Sequence, residues 1–306
     1  MSAVQTPDDT SKEDSKDSRY ARVSKDVKDA KDAVFKMSQL RLLGKPIFVG
    51  LLVTFIGIWI PILFLVLIPG VGAIVAWVGF ATIFVLFTSG RLFNRPDRVW
   101  RQERFRAVTM ERGRFGFAIV LALLFVVIGQ SLLMVTFRLI VYPREQFLAG
   151  TSNYNSLSPV MVWVVVLISA LGAGIYEEIG FRGYMLQPME KSYGFLLANT
   201  VTSIIFMLIH LNQAWAPWLL PWLFFLSFLF GIIAHVTGSI IPGMIAHVVL
   251  DIFNFGYWWS DTIGSFDYQT IWFTGVDAHF VIWSIVLTIS LASFALLARY
   301  LHSTNS

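Results

Sequence analysis

The sequence predicts an all-α, polytopic integral membrane protein with about eight transmembrane helices, and three observations predict it. First, 56% of the 306 residues are hydrophobic and 14% are charged, with a mean hydropathy of +0.69. Soluble domains carry about 25% charged residues. Second, eight apolar runs follow one another along the chain, each near the roughly 20 residues that a helix needs to cross a bilayer. Third, basic residues gather in particular connections, the bias that orients membrane proteins. Cysteine is absent, which excludes disulfides, thiolate zinc sites and a thiol nucleophile.

The elements follow in order. Residues 1–45 hold ten Lys/Arg against eight Asp/Glu and no apolar run near the start. They read as a polar cytoplasmic tail, partly disordered, and not as a cleavable signal peptide. Within it, Lys25-Asp-Val-Lys28-Asp-Ala-Lys31 fits a short solvated surface helix, and Lys36, Arg41 and Lys45 offer weak contact with anionic lipid. Spans are expected at 46–68 and 71–90, divided by the tight turn Ile68-Pro69-Gly70-Val71-Gly72. The connection 91–115 carries eight Arg against three acids. Further spans are expected at 116–141, 159–186, 194–213, 218–236, 240–258 and 279–300, the seventh entered through the turn Thr237-Gly238-Ser239. Four regions result: the tail 1–45; the first helices and arginine-rich loop, 46–158; a polar-residue-bearing core, 159–258; and an outer loop, last helix and short tail, 259–306.

A cytoplasmic N-terminus puts the arginine-rich loop and Arg299 on that same side. The opposite side then receives 258–278, with Asp261, Asp267 and Asp277 and no basic residue. Both termini are therefore expected in the cytoplasm, in a multi-pass protein of the cell membrane.

Polar residues concentrate in the fourth to seventh runs. Val160 to Tyr176 has no charge, and then Glu177, Glu178 and Arg182 fall within six residues. A charge at mid-membrane costs roughly 2.5–3.5 kcal/mol on insertion scales, so three together read as a functional site. His210 closes the fifth run, His235 ends the sixth, and His247, Asp251 and Asn254 lie in the seventh. Residues four apart share a helix face, which aligns His247 with Asp251 and lets Asn254 join them. Glu178 precedes Arg182 by four, the favoured order for an ion pair. That pair neutralises one carboxylate and leaves Glu177, rotated by ~100° on an α-helix, available as a general base.

Two histidines and a carboxylate on separate helices suit the activation of water. The imidazoles either hold a metal or hydrogen-bond the water and an oxyanion. Two His and one Glu form a known catalytic zinc set, so a divalent metal held by Glu177, His210 and His247 is one form of the expectation. The His-Glu-x-x-His helix of zinc proteases is absent. His235 reads as interfacial, and Glu178–Arg182 reads equally as a structural pair.

These motifs resemble those of the CAAX protease and bacteriocin-processing (CPBP, Abi-type) intramembrane proteases. Glu177-Glu178-Ile-Gly-Phe-Arg182 is similar to that family's EExxxR signature, Phe206-Met-Leu-Ile-His210 to its FxxxH motif, and Gly231 through His247-Val-Val-Leu-Asp251 to its third and fourth motifs. The resemblance covers residues 170–255 and implies an eight-helix enzyme with a cavity inside the membrane. In it Glu177 is the water-activating base, His210, His247 and Asp251 surround the water and oxyanion, and Glu178 and Arg182 support the site. The implied partners are the lipid bilayer and a peptide or protein substrate, membrane-anchored in one form, and no nucleic acid. Asp251 stands where CAAX-cleaving members carry Asn, which argues against carrying over that substrate. The rivals are a non-catalytic membrane adaptor or bacteriocin-immunity-type protein, and a transporter, for which the matching half-structures are not found. One tension remains. Counting along each run puts Glu177 towards the cytoplasm and His210 towards the outside. Their meeting requires a long fourth helix, or a chain that turns back after Arg182 at Gly183, Pro188 or Gly194.

Overall fold

The computed structural model describes residues 42–58, 60, 68, 71–88, 105–146, 157–211, 219–258 and 263–304. Two compact units are delimited, Met1–Lys45 and Pro46–Ser306. Most of the polar tail and residues 91–104 of the arginine-rich connection lie outside the described residues.

Every described regular element is a helix. In chain order these are α1 (Leu42–Ile58), α2 (Val71–Thr88), α3 (Arg112–Leu139) and α4 (Pro159–Glu177). A π-helical segment, Glu178–Leu186, continues α4 without a break into α5 (Gln187–Tyr193). Then come α6 (Phe195–Ile209), α7 (Leu219–Thr237), α8 (Ile241–Trp258), the single turn α9 (Ile271–Thr274) and α10 (Ala278–Ser303). Helix therefore forms at each of the eight expected places. Four stretches are long and apolar enough to cross a membrane: Arg112–Leu139, Pro159–Tyr193, Leu219–Thr237 and Ala278–Ser303. Within the described residues, Leu42–Ile58 and Phe195–Ile209 are shorter apolar helices, and α8 carries His247, Asp251 and Asn254 in its run.

Local chemistry sets the helix ends. Ser158 caps α4, its Oγ accepting from the Met161 amide at 3.4 Å, with Pro159 in the first turn where no amide is needed. Asp277 caps α10 by accepting from the Phe280 amide at 3.0 Å. Arg114 donates to the carbonyls of Val236, at 3.1 Å, and of Leu301 and Thr304, at 3.4 Å. It thus meets the negative ends of α7 and α10, where a cation is favoured. The described end of the arginine-rich connection is thereby part of the packed structure, and Arg106 of the same connection pairs with Glu190.

Two helical hairpins form the heart of the molecule. The first joins the long helix 159–193 to α6 through Gly194, whose φ of +79° is natural only to glycine. The second joins α7 to α8 through Gly238-Ser239-Ile240. That turn is pinned to the segment after Phe105: the Ile240 amide donates to Arg106 O at 3.0 Å, and Ser239 Oγ to Val108 O at 2.9 Å. α6 packs on α7, α8 on α4 and α3, and α10 on α3.

The first hairpin resolves the tension in the sequence. Of the three candidate turning points, Gly183 and Pro188 lie within continuous helix to Tyr193, and the chain reverses at Gly194. Glu177 lies 17 residues before that hinge and His210 lies 16 after it. Residues equidistant from a hairpin hinge stand at similar heights, so the long helix brings Glu177 level with His210. The ring pair Phe181–Phe206, at 5.1 Å, spans the same hairpin in that register.

Candidate active site

The acidic motif occupies a π-helical segment, a form frequent at functional sites. Its i→i+5 bonding places more residues in each turn, so successive side chains diverge by less than the ~100° of an α-helix. Glu177 and Glu178 consequently both reach His247, one at each ring nitrogen. His247 Nδ1 lies 3.1 Å from Glu178 Oε1, and Nε2 lies 3.7 Å from Glu177 Oε2. This departs from the expectation that Glu178 would be committed to Arg182 alone. Asp251, one turn along α8, has Oδ2 3.8 Å from the same Nε2. The described part of the cluster thus unites Glu177, Glu178, Arg182, His247 and Asp251.

α8 can come this close because of Gly174. A Cβ there would stand 2.5 Å from Val248 Cγ2 and 3.1 Å from the Met244 carbonyl. Any larger residue would push α8, and His247 with it, away from α4.

Arg182 is fully buried and its guanidinium is held from several directions. Nη1 donates to Glu178 Oε1 at 2.9 Å, and Nη2 donates to both the carbonyl and the hydroxyl of Ser227 at 2.8 Å. The rings of Phe230 and Phe206 lie 4.9 and 5.1 Å from its central carbon, within cation–π range. Phe230 also stacks on the His247 ring at 4.8 Å. A rigid chain results: Ser227 holds Arg182, Arg182 holds Glu178, and Glu178 orients the His247 ring by accepting from Nδ1–H. Nε2 faces Glu177 and Asp251.

His210 ends α6. Its Nδ1 lies 2.7 Å from the Phe206 carbonyl, which can only accept, so Nδ1 carries a proton. The Phe206 ring lies 4.6 Å from the His210 ring and 6.5 Å from that of His247, and so stands against both. Ser227 and Phe230 are missing from the sequence reading. A lone serine in an apolar helix gives little signal beyond its polarity, and one phenylalanine among 27 gives none. His235, in the last turn of α7, joins a cluster with Glu190 and Phe195. Its Nδ1 is 2.5 Å from Glu190 Oε1 and its ring stacks on Phe195 at 4.0 Å.

Burial grades across the site. Glu177, Glu178 and His247 are at most 6% exposed, whereas the Asp251 side chain is 24% exposed. The cluster therefore opens on the Asp251 side. Glu177 Oε2 is buried and has no hydrogen-bond partner. Among the described residues no three His, Asp or Glu side chains are grouped to hold a metal ion.

Residues 159–253 match the model of a family described as Rce1-like, type II CAAX prenyl endopeptidase Rce1-like. The match agrees with the resemblance read from the motifs, and it spans α4 to α8, the helices that carry the cluster. No curated protein and no solved structure matches the chain. Within the Rce1-like segment lie all the residues just described around His247; Asn254 follows immediately after it.

Proposed function

We propose that the protein is an integral membrane endopeptidase that hydrolyses a peptide bond with water activated by Glu177. The observation that carries this reading is the buried Glu177 Oε2, unpartnered and 3.7 Å from His247 Nε2. A separation beyond 3.5 Å invites a bridging water. Such a water donates a hydrogen to Glu177 Oε2 and lies against His247 Nε2, which leaves an oxygen lone pair for the substrate carbonyl.

The step then balances on the chain's own residues. The water oxygen bonds to the carbonyl carbon as its proton passes to Glu177, and the carbonyl oxygen becomes the oxyanion. His210, in its doubly protonated form, donates to that oxygen through Nε2. Glu177 returns the proton to the departing amine as the C–N bond breaks. Asp251 polarises His247 from the open side, and Ser227, Arg182 and Glu178 hold it in place. No step runs through a metal.

The same reading has eight helices crossing the cell membrane, both termini in the cytoplasm, and cleavage near the cytoplasmic leaflet. The ion pairs support it. Arg106 with Glu190, His235 with Glu190, and Arg114 with the ends of α7 and α10 share one end of the molecule. Arg138 with Asp277 and Arg144 with Asp267 share the other. This is the alternation that the basic loop and the acidic loop require.

The test uses purified protein in liposomes with apolar-anchored peptides in ¹⁸O-labelled water. Cleavage that places one ¹⁸O in the new carboxylate, and that falls at least 100-fold in Glu177→Gln and His247→Ala, is expected; loss of one positioned acid or base typically costs about 10²–10⁴. Cleavage that is indifferent to Glu177, or none at all, turns the reading towards a non-catalytic adaptor.

A further inference from the structure

Two acceptors on the helices of the cluster are unmet, and an unmet donor beside them, Arg182 Nε, is sealed at the back. Glu177 Oε2 and Asn254 Oδ1 are both buried without a hydrogen-bond partner. Asn254 is 3% exposed and lies seven residues from His247, on the same face of α8 as Asp251. Between them in sequence, Asp251 presents a carboxylate that is 24% exposed. Arg182 cannot serve an incoming anion. Its terminal nitrogens are taken by Glu178 and Ser227, and it is fully buried behind two phenylalanine rings. The open side therefore shows a carboxylate, that of Asp251, while the cluster's cation is sealed at the back.

Unmet buried acceptors are costly unless something donates to them. An ammonium brings three donors and a guanidinium five, with the charge that Asp251 complements. A carboxylate brings only acceptors, and like charges placed together across an interface cost several kcal/mol. We propose that Asp251, backed by Asn254, is a specificity determinant. It selects a peptide bond flanked by a lysine or arginine side chain and disfavours one whose free C-terminal carboxylate would enter the site. The inference rests on the hydrolase reading and names its substrate class.

The experiment takes the full-length protein in liposomes and a set of apolar-anchored peptides differing at the residue after the cleaved bond: Lys, Gln or Glu. A parallel set places the free C-terminus at that position or blocks it as an amide. Wild type is expected to prefer Lys over Glu by roughly tenfold or more in kcat/KM, a difference that corresponds to about 1.4 kcal/mol or more. It is also expected to prefer the amide over the free acid. Asp251→Asn should bring Lys and Glu to within about threefold of each other, whatever it does to the absolute rate, and Asp251→Glu should restore the preference. Because the readout is a ratio within one variant, a partly folded or slowed protein does not mimic it. Glu177-dependent cleavage with equal rates for Lys and Glu, or a preference that survives Asp251→Asn, overturns this inference and leaves the hydrolase standing. Absence of Glu177-dependent cleavage from every peptide overturns both.

Discussion

Glu178 accepts from both Arg182 and His247 through the same oxygen, at 2.9 and 3.1 Å. Its position explains why an arginine belongs in a membrane interior, since the cation balances a carboxylate that would otherwise crowd Glu177. Removing one partner of a buried pair leaves an uncompensated charge and costs about 3–5 kcal/mol. Arg182→Met is therefore expected to lower stability by that amount in thermal unfolding of the detergent-solubilised protein. The double variant with Glu178→Gln should recover much of the loss, and a double variant as unstable as the sum of the singles would count against the pair. With Glu177 as the base in the proposed step, hydrolysis is expected to survive EDTA and 1,10-phenanthroline. Inhibition reversed by added zinc would contradict the mechanism. At this scale the sequence displayed Glu177, Glu178, Arg182, His210, His247 and Asp251, because charges in an apolar run stand out. It hid the second bond of Glu178 and the role of Ser227, because both depend on which helices face one another.

Among the elements, the two hairpins and the π-helical segment do the positioning. Glu177 and His210 appear out of register when each run is counted from its own start, and level when both are counted from Gly194. The sequence contained Gly194 as one of several candidate breaks. What it did not show was that helix would persist through Gly183 and Pro188. Pro188 sits in the first turn of α5, yet the helix is continuous there, and the preceding π-helical segment gives the backbone a different bonding pattern at the point where proline withholds an amide. The widened turn also could not be read from the i, i+4 spacing, which assumes α geometry. A direct consequence concerns Gly174. Gly174→Ala forces a methyl against Val248 and the Met244 carbonyl, and overpacking of that kind costs roughly 1–3 kcal/mol. It should also displace His247, so kcat should fall at least tenfold while a lipid-facing control such as Leu197→Ala, whose parent residue is 54% exposed, stays near wild type. Full activity in Gly174→Ala would separate helix contact from catalysis and contradict the account.

For the whole molecule, composition announced an all-helical membrane protein, and charge bias proposed which end is which. The described helices bear out the first. Four of them meet the standard of a full crossing. In α8 the site itself lowers the count, since His247, Asp251 and Asn254 take away the hydropathy by which spans are recognised. The two ends are held by ion pairs of different exposure. Arg138 is 3% exposed beneath Asp277, which is 39% exposed. The Arg138 hydrogen bond, followed by the Phe280 amide, holds the Asp277 carboxyl below its usual range. A carboxyl with a lowered folded pKa stabilises above its unfolded value and loses that contribution as pH falls through the folded one. The difference in melting temperature between wild type and Asp277→Asn should therefore be constant near neutrality and close as pH drops below about 4. A gap that instead widens on acidification would contradict the pairing. Topology is testable because the chain has no cysteine. Single cysteines at Ser2 and Ser306 should both react with a membrane-impermeant maleimide only when the cytoplasmic face is open.

The central claim is hydrolysis by Glu177, and the most direct measurement of it is a comparison of membrane-peptide termini in cells carrying wild type, Glu177→Ala or the lipid-facing control Leu197→Ala at matched expression. The account predicts new termini in wild type and in the control that vanish in Glu177→Ala, with basic residues enriched beside the cut. Identical termini in all three would contradict it.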